Sequence, residues 1–127
     1  MQVETRTVTA TSQVNNTFAS LTAVGGQTKN NVIPPKAGNI VKMDIAVGSP
    51  TADDFISLVK ISGTGFPEQI VAGPCFSGAT SGAQQSRVSI PLGSGFNMAG
   101  VVDLNIDYLQ SSGGNLTQDV AVSLFFE

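Results

Sequence analysis

The sequence predicts an all-β domain, an antiparallel two-sheet sandwich of about eight strands. Gly and Pro interrupt the chain about every ten to fifteen residues, and the intervening runs are rich in Val, Ile, Thr and Phe. No window shows sustained helical periodicity. The pattern favours a jelly roll. An immunoglobulin-like sandwich is the alternative, although its Cys, Trp, Cys pattern is absent.

The first three strands are expected over residues 2–11, 17–24 and 39–47. In the first, Thr and Val alternate with charged residues, and a glycine-rich loop follows the second. Pro34 and Pro35 lack the N–H that a strand ladder needs, so they predict an extended connection. The third strand alternates most clearly. Its predicted core residues are Val41, Met43, Ile45 and Val47, with Lys42 and Asp44 facing outward.

The middle strands are expected over residues 55–62, 68–77 and 86–92. The first of these is apolar on both faces, with Phe55, Val59 and Ile61 on one side and Ile56 and Leu58 on the other. Such a strand lies centrally in a sheet or under a neighbour. The second is interrupted by a Gly-Pro pair, which indicates a bulge or an edge.

The last two strands are expected over residues 101–109 and 117–126, and residues 1–127 are expected to form a single domain. Both strands alternate between apolar and polar positions, which defines a core-facing side. The predicted inward residues are Val102, Leu104, Ile106 and Tyr108 in one strand, and Val120, Val122, Leu124 and Phe126 in the other.

The surface is predicted to be polar but nearly uncharged, because charged residues make up only 12% of the chain. Such a surface is better tolerated where other subunits cover it. The net charge is −3, and the six basic residues are scattered without an arm or patch, which argues against direct nucleic-acid binding. With no Trp and one Tyr, a stacking platform for bases or sugars is poorly supplied.

The residue inventory argues against catalysis, cofactors and metals. The chain contains no His, which removes Ser-His-Asp and Cys-His nucleophile systems and most transition-metal sites. Cys75 is expected to be a small buried hydrophobe. The pairs Asp53 with Asp54 and Asp103 with Asp107 are expected in a turn and on a strand surface, and calcium binding by Asp53 and Asp54 is the alternative. We therefore expect no enzyme and no small-molecule substrate.

The chain is expected to be made in the cytoplasm and not to insert into a membrane. Its start, Met1 to Thr5, lacks the positive leader and apolar run of a signal peptide. No apolar stretch approaches the roughly 18 residues that span a bilayer.

Phe66, Pro67, Phe96 and Met98 are the candidate interface residues. They lie in stretches interrupted by glycine, which predicts loops. One interpretation is that the two phenylalanines cap the open ends of the sandwich. The other is that these apolar groups contact a neighbouring subunit, where aromatic residues and Met are enriched.

The chain resembles small single-jelly-roll virion proteins. The resemblance lies in the proline-rich run 34–40 that leads into an alternating strand, in the Ser, Thr, Asn and Gly-rich loops, and in the low charge. It implies a capsid, vertex, turret or decoration subunit that forms a homo-oligomer, contacts other capsid proteins and resides in the virion. The alternative is a non-catalytic binding module, such as a lectin-like or adhesin domain. Strand order stays open, because sandwich topologies share one alternating pattern.

Overall fold

The computed structural model describes residues 2–8, 18–23, 30–47, 56–72, 87–110 and 120–127. Within these ranges the chain forms nine strands and no helix. They are β1 (Gln2–Val8), β2 (Phe18–Ser20), β3 (Thr22–Ala23), β4 (Asn39–Val47), β5 (Ile56–Gly63), β6 (Phe66–Ala72), β7 (Arg87–Asn97), β8 (Asn105–Gln110) and β9 (Val120–Phe126).

The strands form two antiparallel sheets with jelly-roll topology. One sheet has the order β3-β1-β9-β4-β7, and the other has the order β2-β8-β5-β6. Paired strands are nested along the chain: β1 with β9, β2 with β8, β4 with β7, and β5 with β6. Four nested pairs rolled into two sheets make a jelly roll. The predicted sandwich is therefore confirmed, and its strand order differs from that of the immunoglobulin-like alternative.

The two long sides of the sandwich differ. On one side, β2 and β3 are separated only by Leu21, so one stretch of chain pairs first with β8 and then with β1. On the other side, β6 and β7 are the edge strands of their sheets. Each edge strand contains an exposed proline, Pro67 or Pro91. Because proline offers no N–H, both residues hinder the addition of a further strand.

The core lies between the sheets and is built from alternate residues of the central strands. The predicted inward residues of β9 are all buried, as are Leu104, Ile106 and Tyr108 around β8. Burying one such aliphatic or aromatic side chain contributes about 1.5–3 kcal/mol. The prediction for Val102 is wrong, since this side chain is 60% exposed. The Val102 N–H donates to the Thr64 carbonyl, and regular alternation begins only with β8.

A register shift in β4 corrects the predicted face of its first half. The shift lies between Ile40 and Lys42 against both neighbouring strands. Against β9, Val41 is an extra residue, whereas against β7 the extra residues are 92–95 in β7 itself. Ile40 therefore occupies the core position, fully buried, while Val41 is only half-buried. Beyond the shift, Met43 and Ile45 are buried as predicted.

Two strand ends also differ from the prediction. β7 continues to Asn97 and β6 begins at Phe66, so Phe66, Pro67 and Phe96 belong to strands, whereas Met98 lies outside any strand, as predicted. Gly95 allows β7 to continue because it has a φ of 85° and lies against the Ile40 carbonyl, where a side chain would not fit. The predictions for Cys75, Asp53 and Asp54 concern residues outside the described ranges.

Candidate assembly surfaces

Two of the four candidate interface residues are buried inside the chain. Met98 is fully buried and Phe66 is 8% exposed, and both belong to the hydrophobic core. Neither side chain is therefore exposed for the predicted contact with a neighbouring subunit. The Met98 N–H donates to the Gly38 carbonyl, which holds this segment against the start of β4.

Phe96 and Pro67 lie on the open side of the sandwich, where β6 and β7 are the edges. Phe96 is half-buried and meets Phe66 edge-to-face, with ring centroids 6.0 Å apart and planes at 89°. This pair joins the edge strand of one sheet to the edge strand of the other. Capping of the open ends of the sandwich stays a prediction. Pro67 is exposed. A contact of Phe96 and Pro67 with a neighbouring subunit stays a prediction.

The outer face of the four-stranded sheet carries a row of large apolar side chains. Phe18 pairs with Leu109, and Leu109 pairs with Leu58 on its other side. Their neighbours along the strands, such as Tyr108 and Val59, point into the core. Because successive side chains of a strand point to opposite faces, Phe18, Leu58 and Leu109 face away from the core. All three side chains are half-buried. We call Phe18, Leu58 and Leu109 the outer apolar row.

A charged group adjoins the outer apolar row, centred on Lys60. Its Nζ lies 3.7 Å from Asp107 Oδ2, 3.7 Å from Glu68 Oε2 and 4.3 Å from the centre of the Phe18 ring. The Lys60 and Asp107 side chains are largely covered, whereas that of Glu68 is 64% exposed. Two carboxylates against one ammonium leave this face with one surplus negative charge. The exposed Ile70 lies beside Lys60.

The outer face of the five-stranded sheet carries both polar and apolar side chains, including Val3 and Phe125. Asp44 faces outward as predicted but is 4% exposed, because it accepts a 2.6 Å hydrogen bond from Ser89 Oγ and lies 3.9 Å from Lys42 Nζ. Thr5 and Ser123 share a 2.8 Å hydrogen bond in the adjoining strands. The Lys42 side chain is 42% exposed, and its ammonium lies over the Phe125 ring at 4.1 Å.

Asp103, which precedes β8, forms hydrogen bonds with two other segments of the chain, at Thr64 and at Asn31. Its carboxylate accepts hydrogen bonds from the Thr64 N–H at 2.9 Å and from Asn31 Nδ2 at 3.0 Å. The hydrogen bond from the Thr64 backbone lowers the pKa of Asp103 below its ordinary value of 3.8. These hydrogen bonds give the Asp103 carboxylate a structural role.

Replacing Asp103 with Asn is expected to lower stability at neutral pH and to matter less in acid. The pKa of Asp103 is depressed in the folded chain, so its charge stabilises the fold above pH 3.8 and this contribution is lost as the pH falls through the folded-state pKa. Urea unfolding of both proteins between pH 7 and pH 2.5 measures the difference. A wild-type advantage that does not shrink below pH 3.8 would contradict this assignment.

Tyr108 places a phenol in the core without an apparent partner. The side chain is 1% exposed, and its hydroxyl has no hydrogen bond within the described part of the chain. Burial raises the pKa of Tyr108 to about 12, because the charged form would lose its hydration. The phenol therefore stays neutral over the physiological pH range, and its inward position was predicted.

Across the six described ranges, no group of three or more His, Cys, Asp or Glu side chains is arranged to hold a metal ion. No helix in those ranges has the length and apolarity needed to cross a bilayer.

The sequence matches no protein-family model and no curated protein. Among solved structures, a chain in the structure of infectious bursal disease virus, Gx strain, is similar over 97% of this chain, with 16% identical residues and a TM-score of 0.30. The present chain spans 33% of that chain. The TM-score is too low to support a fold assignment, so the assignment of a jelly roll rests on the strand pairing.

The sequence reasoning missed the outer apolar row, although one signal for it was present. Residues 55–62 are apolar on both faces, and Leu58 belongs to the side that does not face the core. Phe18 and Leu109 join it only through the pairing of β2, β8 and β5, which are far apart in the sequence. Their placement on one face therefore required the strand order.

Proposed function

We propose that this chain is a structural, non-catalytic subunit that assembles with copies of itself as part of a virion, as a shell, vertex, turret or decoration protein. In this proposal it resides in the virion, is made in the host cytoplasm and contacts other capsid proteins. It acts through its surfaces, without cofactor, substrate or direct nucleic-acid contact.

The observation that carries the proposal is the outer apolar row. The outer face of a two-layer sandwich normally carries polar residues, because the core lies between the sheets. Phe18, Leu58 and Leu109 instead form three adjacent large apolar positions on the outside. Contiguous apolar patches of this kind mark protein interaction sites. The neighbouring pair of carboxylates around Lys60 disfavours a polyanionic partner.

The fold and composition support the same conclusion. Jelly rolls recur in viral capsid and lectin domains, so topology alone leaves both classes open. The lectin-like alternative needs exposed aromatic side chains for stacking on sugars, and the one Tyr of the chain, Tyr108, is buried. The nearly uncharged surface is better explained by contact with other subunits.

A Leu58→Thr substitution tests the proposal. Threonine keeps a strand-forming side chain but removes apolar area from the outer row, so we expect self-association to weaken about tenfold while the fold is kept. Sedimentation equilibrium gives the association constant, and circular dichroism gives the unfolding midpoint.

Val102→Thr is the matched control. Val102 is apolar and 60% exposed, and it lies outside the outer apolar row, so its replacement is expected to leave association unchanged. If the Leu58 and Val102 variants associate equally well, or if both match the wild type, the outer apolar row has no role in assembly.

A further inference from the structure

We propose that copies of this chain stack face to face in one direction, with the outer face of the four-stranded sheet of one copy against the outer face of the five-stranded sheet of the next. This inference rests on the proposed function and specifies its contact. The outer apolar row of one copy is thus covered by a second copy of the chain, which contributes the outer face of its five-stranded sheet.

The exposed charges of the two faces are opposite. Among the described residues of the four-stranded face, Glu68 has the most exposed carboxylate, at 64%, whereas the Asp107 carboxylate is largely covered. On the five-stranded face, Lys42 is 42% exposed, whereas the nearby Asp44 carboxylate is covered. An interface favours opposite charges and penalises like charges. Contact between two four-stranded faces would instead bring two negatively charged surfaces together.

The spacing of the apolar and charged positions also matches along the strands. On the four-stranded face, Leu58 is two residues from Lys60, which pairs with Ile70, and Glu68 lies two residues beyond Ile70. Counted along the strands, this places the backbone of Glu68 four residues from the row, about 13 Å. Its carboxylate lies closer to the row, because Lys60 Nζ is 3.7 Å from it and 4.3 Å from the centre of the Phe18 ring. On the five-stranded face, Ala46 is likewise four residues from Lys42.

The apolar row then faces a part of the five-stranded sheet that has little relief. Thr7, Ala121 and Ala46 pair across β1, β9 and β4. They alternate with buried positions such as Val120 and Val122, so they face outward. Such short side chains leave room for Phe18, Leu58 and Leu109 to approach the sheet.

The lateral order of the strands permits this register. β6, which carries Glu68, and β7 are edge strands on the same long side of the sandwich. β4, which carries Lys42, is next to β7. When two copies stack in the same orientation, Glu68 and Lys42 are offset by about one strand spacing, roughly 5 Å. Long side chains bridge that distance.

An arrangement of this kind is heterologous, because two different surfaces meet. It produces a ring when the rotation between copies closes and an open stack when it does not. It also agrees with the prolines in both edge strands, which disfavour joining copies by strand addition at Pro67 and Pro91.

Charge reversal tests the contact. The variants K42E and E68K are each examined by light scattering at a concentration where the wild type associates, in low salt. Each variant alone is expected to associate at least tenfold more weakly, because like charges then face each other. An equimolar mixture of the two, and the K42E/E68K double variant, are expected to regain the wild-type mass. K36E, which reverses another exposed lysine, is the matched control and is expected to behave as the wild type.

The outcomes separate this inference from the proposed function. Association of the wild type that neither K42E nor E68K changes would overturn the stacking contact and leave the proposed function standing. An effect of E68K with K42E behaving as the wild type would show that Lys42 and its face take no part in the contact, and would also overturn it. A wild type that never associates overturns both. If either reversal unfolds the chain by circular dichroism, K42Q and E68Q replace it, with a smaller weakening expected of each.

Discussion

Replacing Arg6 with Ala is expected to destabilise the chain by about 3–5 kcal/mol, because it removes a buried guanidinium whose partners stay behind. Arg6 is 4% exposed and lies on the inner side of β1. It donates to the carbonyls of Asn30, Asn31 and Thr5, each at 2.8 Å. The side chain thus connects the segment before β4 to the first strand, and its loss leaves three partly buried carbonyls without this donor.

Urea unfolding followed by circular dichroism measures this effect, at one protein concentration, since association would add to apparent stability. Glu4→Gln is the control, because the Glu4 ion pair with Arg6 is longer, at 3.4 Å, and partly exposed. We expect it to cost about 1 kcal/mol or less. An Arg6→Ala protein within 1 kcal/mol of the wild type would show that water replaces the guanidinium.

Gly65→Ala is expected to cost about 2–5 kcal/mol, from two separate causes. Gly65 has a φ of 82°, in the left-handed region, where an alanine costs about 1–2 kcal/mol. In addition, a Cβ at this position would lie 2.3 Å from the Gly100 carbonyl oxygen. Relieving that contact must move one of two segments joined by the hydrogen bond from Val102 to Thr64, which adds about 1–3 kcal/mol.

Gly100→Ala separates the two causes. Gly100 has nearly the same φ, 80°, but a Cβ there meets no atom within 4 Å. Its replacement is therefore expected to cost only the backbone term, about 1–2 kcal/mol. Equal losses of unfolding free energy for the two variants would show that the chain relaxes around Gly65 without strain.

Much of the fold could be predicted from alternation, since the side-chain period of a strand is fixed by its geometry. The bounds of β4 and the buried face of β9 were predicted as observed. The errors occur where a bulge or a turn interrupts the period. In β4, the extra residue Val41 shifts the alternation against β9, so Ile40 faces the core in place of Val41. In the turn before β8, Val102 faces outward.

The candidate surfaces were harder to predict, because they depend on which strands are neighbours. Glycines next to Phe66 and Phe96 indicate loops when only the local sequence is considered. In the fold, Gly65 and Gly95 adopt positive φ and bring the backbone close to other segments, so Phe66 joins the core. The outer apolar row similarly exists only once β2, β8 and β5 are paired.

The most direct test of self-assembly is the mass of the wild-type protein in solution, measured by size-exclusion chromatography with light scattering over a concentration series. The proposal predicts a mass that rises above the 13.0 kDa of one chain and approaches a multiple of it as concentration increases. A mass of 13.0 kDa at every concentration would contradict it, and the outer apolar row would then need a different partner.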